Sequence, residues 1–207
     1  MNTDGTGVSL SASFSVIPIR VYPCSSVVYC FEMNTPSAKL LVLVGDKFSC
    51  VKIIGRANFT SSIDFKTLLN ELREKGYKYF ILELSECVLM DSTFLGVLAG
   101  FGLKMSQDQA ATHAGSIELL NPTPRVTELL ENLGVLHLFK LSQGPLPLPQ
   151  GTETRTHACA NPSKEEVSRT CLEAHRTLME INPDNVRRFK DVTQFLAQDL
   201  KKLKPSA

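Results

Sequence analysis

Between Lys39 and Leu141 the chain alternates short apolar runs with segments whose apolar residues recur every three or four positions, and turn residues mark most of the changes. Such a pattern specifies an α/β domain: an apolar run of four to eight residues suits a buried strand, while a period near 3.6 suits one face of a helix. Leu40-Leu41-Val42-Leu43-Val44, the turn pair Gly45-Asp46 and the run Phe48 to Ile54 predict a β-hairpin. Ile63, Phe65, Leu68, Leu69 and Leu72 then share one helical face that ends before Gly76. Tyr79 to Leu84 reads as a buried strand, and after a short connection Asp91-Ser92 opens a second helix carrying Leu95, Leu98, Gly102 and Met105. Ile117 to Leu120 is a further strand. Pro122 and Pro124 stand where a third helix begins, Val126, Leu129, Leu130 and Leu133 form its stripe, and Gly134 ends it. Leu136 to Leu141 supplies a last short strand. This order implies a mixed sheet of four to five strands, begun by a hairpin and continued by crossovers, with helices mainly on one face.

The flanks divide around this domain, taken as 39–141. Residues 1–38 are Ser-rich with broken apolar patches, and Asp4, Pro18, Arg20 and Pro23 argue against a signal peptide or a membrane span. A disordered extension fits, as does translation from Met33. The run Gln143 to Gly151 marks a proline-rich linker, 142–162. Within 163–204, Ser163-Lys164-Glu165-Glu166 resembles a capping box before the stripe Val167, Cys171, Leu172, Ala174, Leu178 and Met179. Val186, Phe189, Val192, Phe195, Leu196 and Leu200 line a final helix ending in lysines. Two helices cannot bury both stripes alone, so this C-terminal helical extension docks on the α/β domain, pairs with a second copy as a homodimer, or meets a partner.

Composition narrows the function. A formal net charge of +1 supplies no field for a nucleic acid, and 43% hydrophobic with 21% charged residues is ordinary for a globular chain. The six cysteines, Cys24, Cys30, Cys50, Cys87, Cys159 and Cys171, show no C-x-x-C spacing and read as reduced thiols in a cytoplasmic protein. His113, His137, His157 and His175 lie too far apart for a helical metal pair and read as ordinary surface or boundary residues. No glycine-rich phosphate loop is present, since Gly96, Gly100 and Gly102 fall inside the second helix, where they permit close packing. No metal or cofactor is expected, and no enzyme activity.

The run Cys87-Val88-Leu89-Met90-Asp91-Ser92-Thr93-Phe94-Leu95-Gly96-Val97-Leu98 resembles the signature of STAS domains, above all the anti-sigma factor antagonists. The resemblance spans about half the chain. It implies a STAS fold and a non-enzymatic regulator of transcription whose partner is an anti-sigma factor that is also a serine kinase. Ser92 then corresponds to the phosphoacceptor, and Asp91, Ser92, Thr93, Phe94, Leu95 and Gly96 to the partner-binding surface. The family often has Gly where this chain has Phe94, which implies a bulkier surface beside the acceptor. The same fold also serves as a constitutive subunit of lipid-trafficking or anion-transport assemblies, and a nucleotide-binding sensor is a third reading.

Physical chemistry supports Ser92 independently. A phosphate at a helix start meets the positive end of the helix dipole, and its charge of about −1.5 to −2 repels an acidic or apolar partner. The plain alternative is that Asp91 and Ser92 only cap a helix.

Overall fold

The computed structural model describes residues 38–45, 48–112, 116–146, 153–156 and 162–203. The expectations for Met1–Pro36, for Asp46 and for Pro147–Gly151 fall outside these residues. The strands are β1 Lys39–Val44, β2 Phe48–Ala57, β3 Tyr79–Glu83, β4 Cys87–Met90, β5 Ser116–Leu120, β6 Lys140–Ser142 and β7 Glu153–Thr156. The helices are α1 Phe59–Glu74, α2 Ser92–Thr112, α3 Pro124–Asn132, α4 Lys164–Ile181 and α5 Val186–Leu203.

The sheet runs β6-β5-β3-β2-β1-β7, with β4 also on β2. β1 and β2 pair antiparallel as the predicted hairpin, while β3, β5 and β6 follow in parallel through helical crossovers. Two short strands enlarge the expected sheet. β7 lies within the segment read as linker and pairs antiparallel with the outer edge of β1, an edge that would otherwise stand open. β4 takes the place of the short connection before α2 and extends the ladder along β2.

β2 is long enough to hold two partners in tandem: Phe48–Lys52 pairs with β3, and Gly55–Ala57 with β4. At the junction the register shifts and Gly55 adopts φ +90°, a left-handed conformation that glycine reaches without a Cβ clash. That tandem pairing brings the end of β4 beside the end of β2, where α1 begins.

The main core lies under α1, α2 and α3, with Phe65, Phe80, Leu82, Phe94, Leu98, Val126 and Leu130 all buried. The opposite face holds a smaller cluster of strand residues, Leu43, Cys50, Ile81 and Leu120. The expected one-sided placement of the helices follows from this division. Local signals place the helix ends where expected: Asn58 and Ser61 close a capping box on α1, Thr123 caps α3 with Pro124 at its first position, and Gly76 and Gly134 take positive φ just beyond α1 and α3.

α4 and α5 belong to the same compact unit as the sheet, so the C-terminal helices dock in cis. α4 lies along α2. At the turn into α5, fully buried Asn185 donates through Nδ2 to the carbonyls of Leu133 and Leu178, each at 2.9 Å. The first of these bonds satisfies a free carbonyl at the end of α3 and ties the helix pair to it.

Candidate functional site

The site is a corner where two helix starts converge on Asp91. The backbone N–H of Asp91 donates to the Ala57 carbonyl at 2.9 Å, continuing the β2–β4 ladder by one more bond. Its carboxylate then spans both helices. Oδ1 accepts from the Phe94 N–H at 2.8 Å, the N-cap bond of α2, and Oδ2 accepts from the Phe59 N–H at 2.7 Å, at the first residue of α1. Burial outweighs these bonds and holds the Asp91 carboxyl above the usual carboxylate range.

Because Asp91 does the capping, Ser92 is the first helical residue and its hydroxyl is released from that duty. Ser92 Oγ lies 2.9 Å from Nε2 of His175 on α4. The direction of the bond follows from the other ring nitrogen: Nδ1 is 2.7 Å from the Cys171 carbonyl, which can only accept, so Nδ1 carries the hydrogen. In the neutral ring Nε2 is then the acceptor and the Ser92 hydroxyl donates. Burial, set against the Cys171 bond and the nearby Asp91, pushes the His175 pKa below 6.5 and so favours that neutral ring.

Around this bond the helices approach closely. A Cβ built on Gly96 would stand 2.5 Å from the Ala174 carbonyl oxygen, so only glycine lets α4 lie at this distance. Thr93 Oγ1 contacts Cys171 Sγ at 3.5 Å, and the Phe189 ring of α5 packs on the His175 imidazole with centroids 4.8 Å apart. Two grooves share Lys66, Asn70 and Thr170, one lined by α1, α2 and α4 and the other by α1 and the start of α4, and neither is lined by Ser92 or His175.

Residues 42–144 match the family described as STAS domain. They form a STAS domain. No curated protein matches the chain. Among solved structures, the unphosphorylated anti-sigma factor antagonist SpoIIAA is 19% identical with a TM-score of 0.43, over 51% of this chain and 88% of its own. The phosphorylated SpoIIAA of Bacillus is 17% identical with a TM-score of 0.41, over 51% of this chain and 91% of its own. An RsbS variant from Moorella thermoacetica is 19% identical with a TM-score of 0.39, over 50% and 86%.

The STAS domain places the six expected surface residues unevenly. Asp91 and Ser92 are half-buried at the corner, and Thr93 and Gly96 face α4. Phe94 and Leu95 point inward, at 0% and 1% exposure, so Phe94 fills the core instead of adding bulk beside the serine. Of the exposed apolar residues, Phe59 supplies an N–H that Asp91 accepts, and Val88 lies on β4 three residues before Asp91.

His175, read as a surface or boundary residue, is a buried part of the site at 6% exposure. Its position four residues after Cys171 and three before Leu178 put it on the apolar stripe, a signal its polarity concealed. A second signal lay in α2 itself. From Ser92 to Leu103 it carries no charge, and a helix apolar on all sides is covered on all sides. Among the described residues no cluster of His, Cys, Asp and Glu could hold a metal ion, and no helix is long and apolar enough to cross a membrane.

The depressed His175 pKa carries a pH prediction. Undocked, the imidazole titrates near 6.5; docked, it resists the proton. The stability this contributes is fully present above 6.5 and is lost as pH falls through the lower docked value. The groups acting on the ring are Asp91 and the Cys171 carbonyl, both of which raise its pKa against burial. The NMR titration of the His175 Cε1 proton should show a midpoint below 6.5, returning toward 6.5 when Gly96→Leu separates the helices. A wild-type midpoint at or above 6.5 would contradict the buried neutral ring.

Proposed function

We propose that this STAS domain works as an anti-sigma factor antagonist-like regulator: its Ser92 corner binds an anti-sigma factor that is also an ATP-dependent serine kinase, and phosphorylation of Ser92 ends that binding. The observation that carries the reading is the division of labour at the helix start. Asp91 makes the capping bonds, so the Ser92 hydroxyl, held by His175 and not by the cap, can be modified without loss of the cap. A phosphate there meets the N-terminal end of α2 and is tolerated by the fold, while it crowds Asp91 and any partner seated on Phe59 and Val88. Control of transcription then requires no contact with DNA, in keeping with the net charge of +1. The reading implies a cytoplasmic protein.

A pull-down from the native host with wild type, Ser92→Ala and Ser92→Asp, read by mass spectrometry for partners and phosphosites, tests this. Wild type and Ser92→Ala should recover a kinase-like anti-sigma factor. Ser92→Asp should lose it by about a hundredfold, the effect of a repulsive penalty of ~3 kcal/mol. Equal recovery by all three, with Ser92 unphosphorylated, would overturn the switch. Co-recovery of an ATPase and a permease in that case would favour a constitutive subunit of a transport assembly, a reading that the engagement of the Ser92 hydroxyl by His175 also supports.

A further inference from the structure

We infer that α4 is a built-in cover for the Ser92 face, seated on it in the resting chain and displaced before a kinase or partner protein can reach the serine. The inference rests on the reading of that face as the partner-binding surface, and adds how access to it is controlled.

Four observations place α4 there as a fitted occupant. His175 takes the Ser92 hydroxyl at 2.9 Å and is itself oriented by the Cys171 carbonyl. Gly96 makes room for the Ala174 backbone, and Gly100 continues the same close track, with a Cβ there 3.5 Å from Thr177 Cγ2. Phe189 supports the His175 ring from α5. Asn185 fastens the turn between the two helices to the end of α3. The STAS sheet and its three helices form their own core, with few side chains of α4 and α5 contributing to it, so the helix pair can leave while the domain stays folded.

The two states compete for the same hydroxyl. Phosphorylation removes the hydrogen that Ser92 Oγ donates to Nε2 at 2.9 Å and sets phosphate oxygens against the lone pair of the neutral ring, acceptor against acceptor. Transfer from ATP forms the bond between Ser92 Oγ and the γ-phosphorus, breaks the bond to the bridging oxygen, releases ADP and passes the hydroxyl proton to a base of the kinase. The base of the kinase must take the place on that hydroxyl which Nε2 now holds. Phosphorylation therefore follows uncovering, and once made it holds α4 away.

The test uses the full chain. Ser92→Cys provides a thiol whose alkylation by N-ethylmaleimide, measured at that position by peptide mass spectrometry, reports uncovering. Adding Gly96→Leu, whose side chain meets the Ala174 backbone, should speed that alkylation roughly tenfold or more. Hydrogen exchange with Ser92 intact is the second measurement: Gly96→Leu should expose the amides of 164–181 while those of 79–83 and 116–120 stay protected. If that variant disturbs the strands, Ala174→Trp pushes from the α4 side and decides. Equal alkylation with and without the displacing substitution, or amides of 164–181 as open in wild type as in the variants, would overturn the cover. Gated alkylation without any phosphorylation-dependent partner would keep the cover and reject the proposed function, so the two failures are distinguishable.

Discussion

Phe94→Ala should cost about 3–5 kcal/mol of stability, seen as a lowered urea midpoint with the slope unchanged. The ring is fully buried and stacked on Phe65, with centroids 4.5 Å apart at 23°. Its removal loses the transfer energy of a large side chain, leaves a cavity that α1 and α2 cannot both close, and ends an aromatic contact worth about 0.5–1.5 kcal/mol. Against a total stability of about 5–15 kcal/mol for a domain of this kind, the loss is severe. Phe94→Leu fills part of the space and should cost about half as much. The pair separates two roles for this residue. A surface residue of the partner interface would tolerate truncation to within about 0.5 kcal/mol, so a near-neutral result would return Phe94 to the surface that the family pattern implied.

The order of elements was legible because each long element carries its own period and its own punctuation. α3 and α4 combine an apolar stripe with a start signal, and α1 combines a stripe with Gly76 beyond its end, so these are readable from local sequence. What escaped was decided by tertiary contact. β4 has four residues and runs directly into α2, so nothing in its length distinguishes it from a connection; it is a strand because Gly55 lets β2 turn aside and offer it an edge. β7 is likewise made by the open edge of β1. The corner residues Asp91 and Ser92 were visible through the family pattern, but their roles were not. Which of two adjacent polar residues caps a helix depends on where the preceding strand delivers the chain, and the Asp91–Ala57 backbone bond sets that. The role of His175 is not legible because histidine belongs equally to surface and core, and a separation of 83 residues from Ser92 hides their contact.

Asp91→Ala should cost about 2–3 kcal/mol, and Asp91→Asn should show why. The alanine removes both acceptors, leaving the Phe94 N–H without its cap and the Phe59 N–H without a partner. A lost N-cap costs about 0.5–2 kcal/mol, and a hydrogen bond to a charged group contributes about 1.5–3 kcal/mol. Partial solvent access at Phe59 keeps the sum toward the lower end, since water replaces one of the two bonds. Asparagine has a single side-chain oxygen for two N–H donors. If it caps α2, its amide nitrogen faces the Phe59 N–H at the 2.7 Å now spanned by Oδ2, donor against donor, and the bond between the helix starts is lost while the cap survives. Asp91→Asn should therefore keep the exchange protection of the first turn of α2 but lose that of the first turn of α1, at about half the stability cost of Asp91→Ala. Because Ser92 takes its position from this cap, its pairing with His175 should persist in Asp91→Asn, where loss of the charge that raises the His175 pKa moves its midpoint further below 6.5, and fail in Asp91→Ala, where release of the ring returns the midpoint toward 6.5. Equal behaviour of the two variants would mean that the charge of Asp91, not its two-armed geometry, holds the corner.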